Sequence, residues 1–156
     1  MEFTPRKEEK IRDVSLAFKN VIGSKLTHYH TMDLLFEDGS FERCDDLPII
    51  LFFEEVDPVS VCWSKTEDLA VAFGICLPFG IGGQTTRWVE NGLPELKPLL
   101  GNKLKSAYLT GESPTLWNRL ILEFSNGHLH IFNAGDENGY SVTTESPDSL
   151  QRIQCA

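Results

Sequence analysis

Long apolar runs, paired cysteines and an excess of positive charge are all missing from this chain, and each absence removes a class of function. The longest uninterrupted apolar stretches, Ile49–Phe53 and Leu69–Phe73, are five residues each, far short of the roughly 20 residues a transmembrane helix requires. The N-terminal MEFTPRKEEKIRD is charged where a secretory signal needs an apolar segment of about 7 to 15 residues. A cytoplasmic location with no membrane partner is the expectation. Cys44, Cys62, Cys76 and Cys155 form no C-x-x-C pair, which argues against a zinc knuckle or a dithiol redox motif. Cys62 in VSVCWS and Cys76 in FGICLPFG have apolar neighbours, the setting of inert buried thiols. The glycines of FGIGGQTT lack the Lys-Ser/Thr of a P-loop and the G-x-G-x-x-G spacing of a dinucleotide site. No G-x-S-x-G elbow occurs. No cofactor is expected.

What is abundant is negative charge, unevenly placed. The 156-residue chain carries a net charge of −9. Eleven carboxylates between Asp33 and Asp68 face only Arg43 and Lys65, so this window holds the whole imbalance and the remainder sums to zero. Phosphate backbones repel such a surface, which excludes nucleic acid as the expected partner. A cationic partner, such as a basic protein surface or a divalent metal, is the natural complement, and a solvated face that keeps the protein in solution is the plainer alternative. The carboxylates chosen as its contacts are Asp45, Asp46, Glu54, Glu55 and Asp57.

The length fits a single domain over residues 1–156. An internal echo organises it: VIGSKLTHYH at 21–30 resembles LLGNKLKSAY at 99–108, and LLFEDGSFE at 34–42 resembles LEFSNGHLH at 122–130. The spacing suggests a pseudo-repeat, 21–64 and 99–144, joined by a Gly/Pro-rich loop at about 78–98. The differing offsets imply an insertion, which TGESPTLWNR at 110–119 has the composition to supply. Asp38-Gly39 and Asn126-Gly127 are the dipeptides best suited to type I′ hairpin turns. Further strands are expected at 49–54, 59–64, 104–109 and 140–144, rich in Val, Ile, Phe, Trp and Thr. Ile11, Val14, Phe18 and Val21 recur at helical spacing behind Thr4-Pro5, which predicts an amphipathic helix over 5–20 stopped by Gly23. Shorter helices are expected at 65–74 and 146–154. The fold class is thus α+β, mainly antiparallel β: pseudo-duplicated hairpin or meander units with an N-terminal amphipathic helix packed on a sheet.

All four histidines fall in two H-x-H pairs, His28/His30 and His128/His130. Residues i and i+2 of a strand share a face, so each pair has metal-chelating spacing. With Asn126-Gly127 as a two-residue turn, Glu123 faces His130, and Glu123, Ser125, His128 and His130 share the face opposite Leu122, Phe124, Leu129 and Ile131. Glu123, His128 and His130 are therefore the candidate metal ligands. A cross-strand His-Glu pair with no metal explains the same pattern. A continuous strand through His28 and His30 sets them beside Leu26, Met32, Leu34 and Phe36, which reads as two partly buried, hydrogen-bonded histidines more than as ligands, unless a bulge near Thr31 to Asp33 flips the register. DENG at 136–139 reads as a turn.

The stretch NRLILEFSNGHLHIFNAGDENGYSV, residues 118–142, resembles immunity proteins of bacterial polymorphic and contact-dependent toxin systems. The resemblance implies an intracellular, non-enzymatic antidote that binds a cognate toxin, and no site residue is transferred from it. Together with the charge distribution, it yields the leading expectation: an acidic protein-binding module that neutralises a basic, nuclease-type toxin domain. Two alternatives come from other classes. One is a metal-dependent enzyme built on Glu123, His128 and His130. The other is a small-molecule carrier with a pocket lined by some of the ten Phe and three Trp.

Overall fold

A computed structural model describes residues 1–65, 68–113, 116–144 and 151–156. The fold is α+β: one N-terminal helix and two antiparallel sheets. Helix α1 (Lys7–Phe18) buries Lys10, Val14, Ala17 and Phe18, a one-sided stripe at helical spacing. It begins two residues later than Thr4-Pro5 suggests. Thr4 is held in a bridge to Leu69 through paired backbone hydrogen bonds of 2.9 and 3.1 Å, and its hydroxyl donates to Glu9 at 2.6 Å. Lys10 is wholly buried, with Nζ donating to the Trp117 carbonyl at 3.2 Å.

The first sheet contains β1 (Leu26–Leu35), β2 (Phe41–Arg43), β3 (Ile49–Phe53), β4 (Val59–Ser64), β5 (Asp68–Phe73) and β6 (Thr86–Glu90). Between the pairs Asp33↔Arg43 and His30↔Ile50, β1 advances three residues while its neighbour advances seven. Strands β2 and β3 thus form one interrupted partner of β1, with Cys44 to Leu47 looped out between them. Strand β6 pairs with β1 over His30–Leu34. The second sheet is a meander of β7 (Leu104–Ser113), β8 (Leu116–Phe124), β9 (Gly127–Asn133) and β10 (Asn138–Thr143), with β11 (Gln151–Gln154) on the outer edge of β7.

One continuous apolar cluster joins the sheets and α1, running from Val14 and Phe18 through Leu26, Leu51, Val61 and Trp63 to Leu109, Leu122, Leu129 and Ile131. Polar ties cross it. Trp63 Nε1 donates to the Ile131 carbonyl at 2.9 Å. Asn138 on β10 accepts from Trp63 N at 2.6 Å and donates to the Val61 carbonyl at 3.0 Å. Pairing of β3 with β4 ends at Ile49↔Val61, so this amide completes the ladder where Cys44 to Leu47 leave it.

The two G-x-K-L segments meet each other. Gly23 N donates to Leu104 O (2.7 Å) and Leu104 N to Ser24 O (3.0 Å), while Gly101 N donates to Leu26 O (2.7 Å) and Leu26 N to Asn102 O (3.0 Å). The exchange is reciprocal, and both glycines have positive φ, 86° and 78°, where a side chain would be strained. The two F-x-x-G echoes, by contrast, sit at different connections. Gly39 closes the β1–β2 turn and Gly127 begins β9.

Several local expectations need correction. Asp68–Phe73 within 65–74 is strand, because its apolar run has Leu69 in the inter-sheet core and buried Ala70 alternating with it; a run buried on both faces carries no periodicity to separate strand from helix. Residues 66–67 lie outside the described residues. Gln151–Gln154 is strand rather than the end of a 146–154 helix, since the free edge of β7 offers it a ladder; residues 146–150 lie outside the described residues. The 78–98 loop contains β6 and a 3-10 turn at Pro94–Leu99. The supposed insertion at 110–119 is mostly the ends of β7 and β8, with residues 114–115 outside the described residues.

The hairpin turns also differ from type I′. At the first, Glu37-Asp38-Gly39 form a three-residue loop with Gly39 at φ 83°, the geometry of a type I turn followed by a left-handed bulge residue. At the second, Phe124 pairs with Gly127, so Ser125-Asn126 make the turn. Asn138 and Gly139 belong to β10 rather than to a turn, with Ala134 to Glu137 reversing the chain. Among the described residues, no helix is long and apolar enough to cross a membrane.

Candidate functional site

The five carboxylates chosen from sequence, Asp45, Asp46, Glu54, Glu55 and Asp57, fall into two groups at opposite ends of β3, about 17 Å apart at the usual strand rise. At one end, Asp45 forms an ion pair with Arg43 (Nε–Oδ1 2.8 Å) and its carbonyl accepts from Asn138 N. The neighbouring Asp46 carbonyl accepts from the Cys62 thiol at 3.2 Å. Burial pushes that thiol up to about 12, so Cys62 stays protonated and structural, as its neighbours in sequence suggest. Cys76 is only half-buried. At the other end, Glu54, Glu55 and Asp57 are exposed in the β3–β4 turn, and among the described residues no Lys, Arg or His nitrogen forms an ion pair with them. Glu55 has φ 63°, a left-handed conformation uncommon for a non-glycine residue. The turn borders an open cleft of about 700 Å³ lined by Asn20, Glu55, Val56, Asp57 and Phe73. Carboxylates and apolar Val56 and Phe73 in one lining suit a long cationic side chain, whose stem lies on apolar surface while its head reaches charge.

The second histidine pair does not assemble with Glu123. The turn at Ser125-Asn126 moves the register by two residues, which preserves the faces but sets Glu123 opposite His128 and Ile121 opposite His130. His128 Nε2 lies 3.9 Å from Glu123 Oε2. His130 has Nδ1 3.0 Å from Arg119 Nη1 and Nε2 3.1 Å from Thr143 Oγ1. A guanidinium only donates, so Nδ1 must accept and Nε2–H donates to Thr143, which leaves this imidazole no lone pair for a metal. Burial, then the charge of Arg119, then His128 bring His130 down to about 4. Glu123 is engaged with Ser106 (3.3 Å) and Tyr108 (3.5 Å).

The first pair behaves differently because of a bulge. Leu26 pairs with Phe53 and His28 with Phe52, so Thr27 is an extra residue on β1. A bulge shifts the alternation by one. Leu26 and Tyr29 therefore both enter the inter-sheet core, while His28 and His30 turn to the outer face of the first sheet. Strand β6 supplies that face from the other side, with Trp88 opposite Met32 and Glu90 opposite His30. One donor atom each from His28, His30 and Glu90 lies within 4.8 Å of the other two. The His28 ring stacks on Phe52 (centroids 4.2 Å, 9°), and Trp88, 40% exposed, lies 6.2 Å from His30. Next to this cluster, Arg87 anchors β6 by a 3.0 Å ion pair to Asp33 and stacks over Phe41.

Neither pairing His28/His30 with each other nor reading Trp88 as a loop residue leads to Glu90. The available signal was the β-prone TTRWVE with Trp88 and Glu90 two residues apart, hidden inside a segment rich in Gly and Pro. No family model, curated protein or solved structure matches this chain.

Proposed function

We propose that the chain is an acidic protein-binding module of the immunity-protein kind, which neutralises a basic toxin domain by receiving its cationic side chains at the β3–β4 turn. The carrying observation is the carboxylate set Glu54, Glu55 and Asp57, without an ion-pair partner among the described residues, beside a cleft lined by Asn20, Glu55, Val56, Asp57 and Phe73. Asp45 and Asp46, read from sequence as part of the same surface, contribute less, since Asp45 is already neutralised by Arg43. The concentration of charge in one window gives long-range attraction to a basic surface, and charge complementarity acts chiefly on the association rate.

The test is co-purification with the product of the neighbouring reading frame, followed by association kinetics. Charge reversal at Glu54→Lys, Glu55→Lys and Asp57→Lys should slow association on the order of 10- to 100-fold, with an unchanged circular dichroism spectrum. A complex indifferent both to these substitutions and to added salt would refute the electrostatic contact. The carrier alternative has weaker support: the cleft beneath the 79–84 loop, lined by Leu34, Leu47, Phe79 and Ile81 among others, is about 270 Å³, at the lower edge of the roughly 300–1,000 Å³ of small-molecule sites.

A further inference from the structure

We propose that His28, His30 and Glu90 bind a single divalent transition-metal ion of the zinc class, with the remaining coordination position open to solvent. Two imidazoles and one carboxylate form a donor set of intermediate softness, suited to Zn²⁺, Co²⁺ or Fe²⁺ and poorly suited to Mg²⁺ or Ca²⁺, which take oxygen ligands. Three protein ligands with one open position are the arrangement of reactive zinc sites, whereas structural sites are closed by four.

Each ligand is available. The Thr27 hydroxyl donates to the Phe52 carbonyl at 3.1 Å and lies 2.8 Å from His28 Nδ1. Having committed its one proton, it accepts from Nδ1–H, which leaves Nε2 of His28 with the lone pair. A fixed hydrogen bond at the non-ligating nitrogen is the usual support of a metal-bound imidazole. Among the described residues, neither His30 nor Glu90 has a side-chain hydrogen bond or ion pair. This contrasts with His130, whose ring nitrogens are both engaged. The 4.8 Å spread exceeds the roughly 3.4 Å that bonds of about 2.0–2.2 Å impose on a tetrahedral site. Closure by somewhat over 1 Å is needed, and Glu90, exposed on the sheet's edge strand, has the torsional freedom to supply it. The bulge at Thr27 lets Leu26 enter the core together with Tyr29; in an unbroken alternation with Leu26 inside, His28 and His30 would face the core with it.

The experiment uses tag-free, full-length protein and Co²⁺ as probe, with Zn²⁺ as competitor, and requires no partner protein. One Co²⁺ per chain should bind and be displaced by Zn²⁺. Glu90→Gln, His28→Gln and His30→Gln should each weaken binding at least about tenfold, and Thr27→Val about 10- to 100-fold. His128→Gln and His130→Gln should leave it unchanged. Histidine side-chain ¹⁵N spectra should show His28 and His30 shifting with Zn²⁺. Because Glu90 and Thr27 are exposed, their variants test the site even if a histidine variant fails to fold. Absence of stoichiometric binding, binding unaffected by Glu90→Gln and Thr27→Val, a thiolate-to-cobalt charge-transfer band, or loss on changing His128 or His130 would each overturn the proposal.

Discussion

Replacing His130 by glutamine should remove most of the protein's sensitivity to mild acid. His130 is 3% exposed, accepts from Arg119 through Nδ1 and donates to Thr143 through Nε2. Adding a proton forces a charge into a buried position beside a guanidinium, which is why burial and Arg119 lower it from 6.5 to about 4. In the unfolded chain the same imidazole protonates near the ordinary value, so acid favours unfolding. The stabilisation is fully present above about pH 6.5 and is lost progressively as the pH falls toward about 4. Linkage between those two values amounts to about 2 kcal/mol lost between about pH 7 and pH 5, and about 3 kcal/mol when the loss is complete. Urea unfolding at a series of pH values measures this directly. His30 is also lowered, by burial and by His28, so the informative quantity is the difference between the native chain and His130→Gln. The variant should be less stable at neutral pH, and its stability should fall less steeply over that interval. Parallel curves, or an NMR titration placing His130 near 6.5, would refute the reasoning.

Two other substitutions test the packing between and within the sheets. Asn138→Ala removes the groups that satisfy Trp63 N and the Val61 carbonyl; at about 1–3 kcal/mol for each buried group left unpaired, the expected loss is about 3–5 kcal/mol by chemical denaturation. A loss below about 1 kcal/mol would mean that water replaces the amide. Gly139→Ala drives a methyl into the Phe132 ring and displaces that ring from the Arg119 guanidinium, 4.8 Å from its centroid. A loss of about 1–3 kcal/mol is expected, and most of it should disappear in a Phe132→Ala background; full persistence there would locate the strain at the second close approach, Ala134 Cβ at 2.9 Å.

Alternating and helical patterns were legible wherever one face of an element meets solvent. The stripe of α1 and the alternation of Leu122, Phe124, Leu129 and Ile131 follow from this, whereas the strands at 49–54 and 59–64, buried on both faces, were legible from their β-branched and aromatic composition. The faces of the Glu123–His130 hairpin survived an error in its turn because a two-residue change of register keeps every side chain on its side. Leu69 to Phe73, apolar at every position, carried neither a two-residue nor a helical period. Edge strands β6 and β11 were obscured for another reason: their pairing is provided by exposed edges of β1 and β7, which are distant in sequence.

Composition and local chemistry alone determined the mainly antiparallel α+β class, the absence of a long apolar run, and the concentration of carboxylates between Asp33 and Asp68. Tertiary structure decided which of those groups are free. Arg43 neutralises Asp45 while Glu54, Glu55 and Asp57 have no ion-pair partner among the described residues, and Arg119 and Thr143 occupy the nitrogens of His130. One extra residue at Thr27 and a strand contributed from 86–90 bring His28, His30 and Glu90 together. The reason is physical: whether a polar group is available depends on which partners already satisfy it, and those partners arrive from anywhere in the chain.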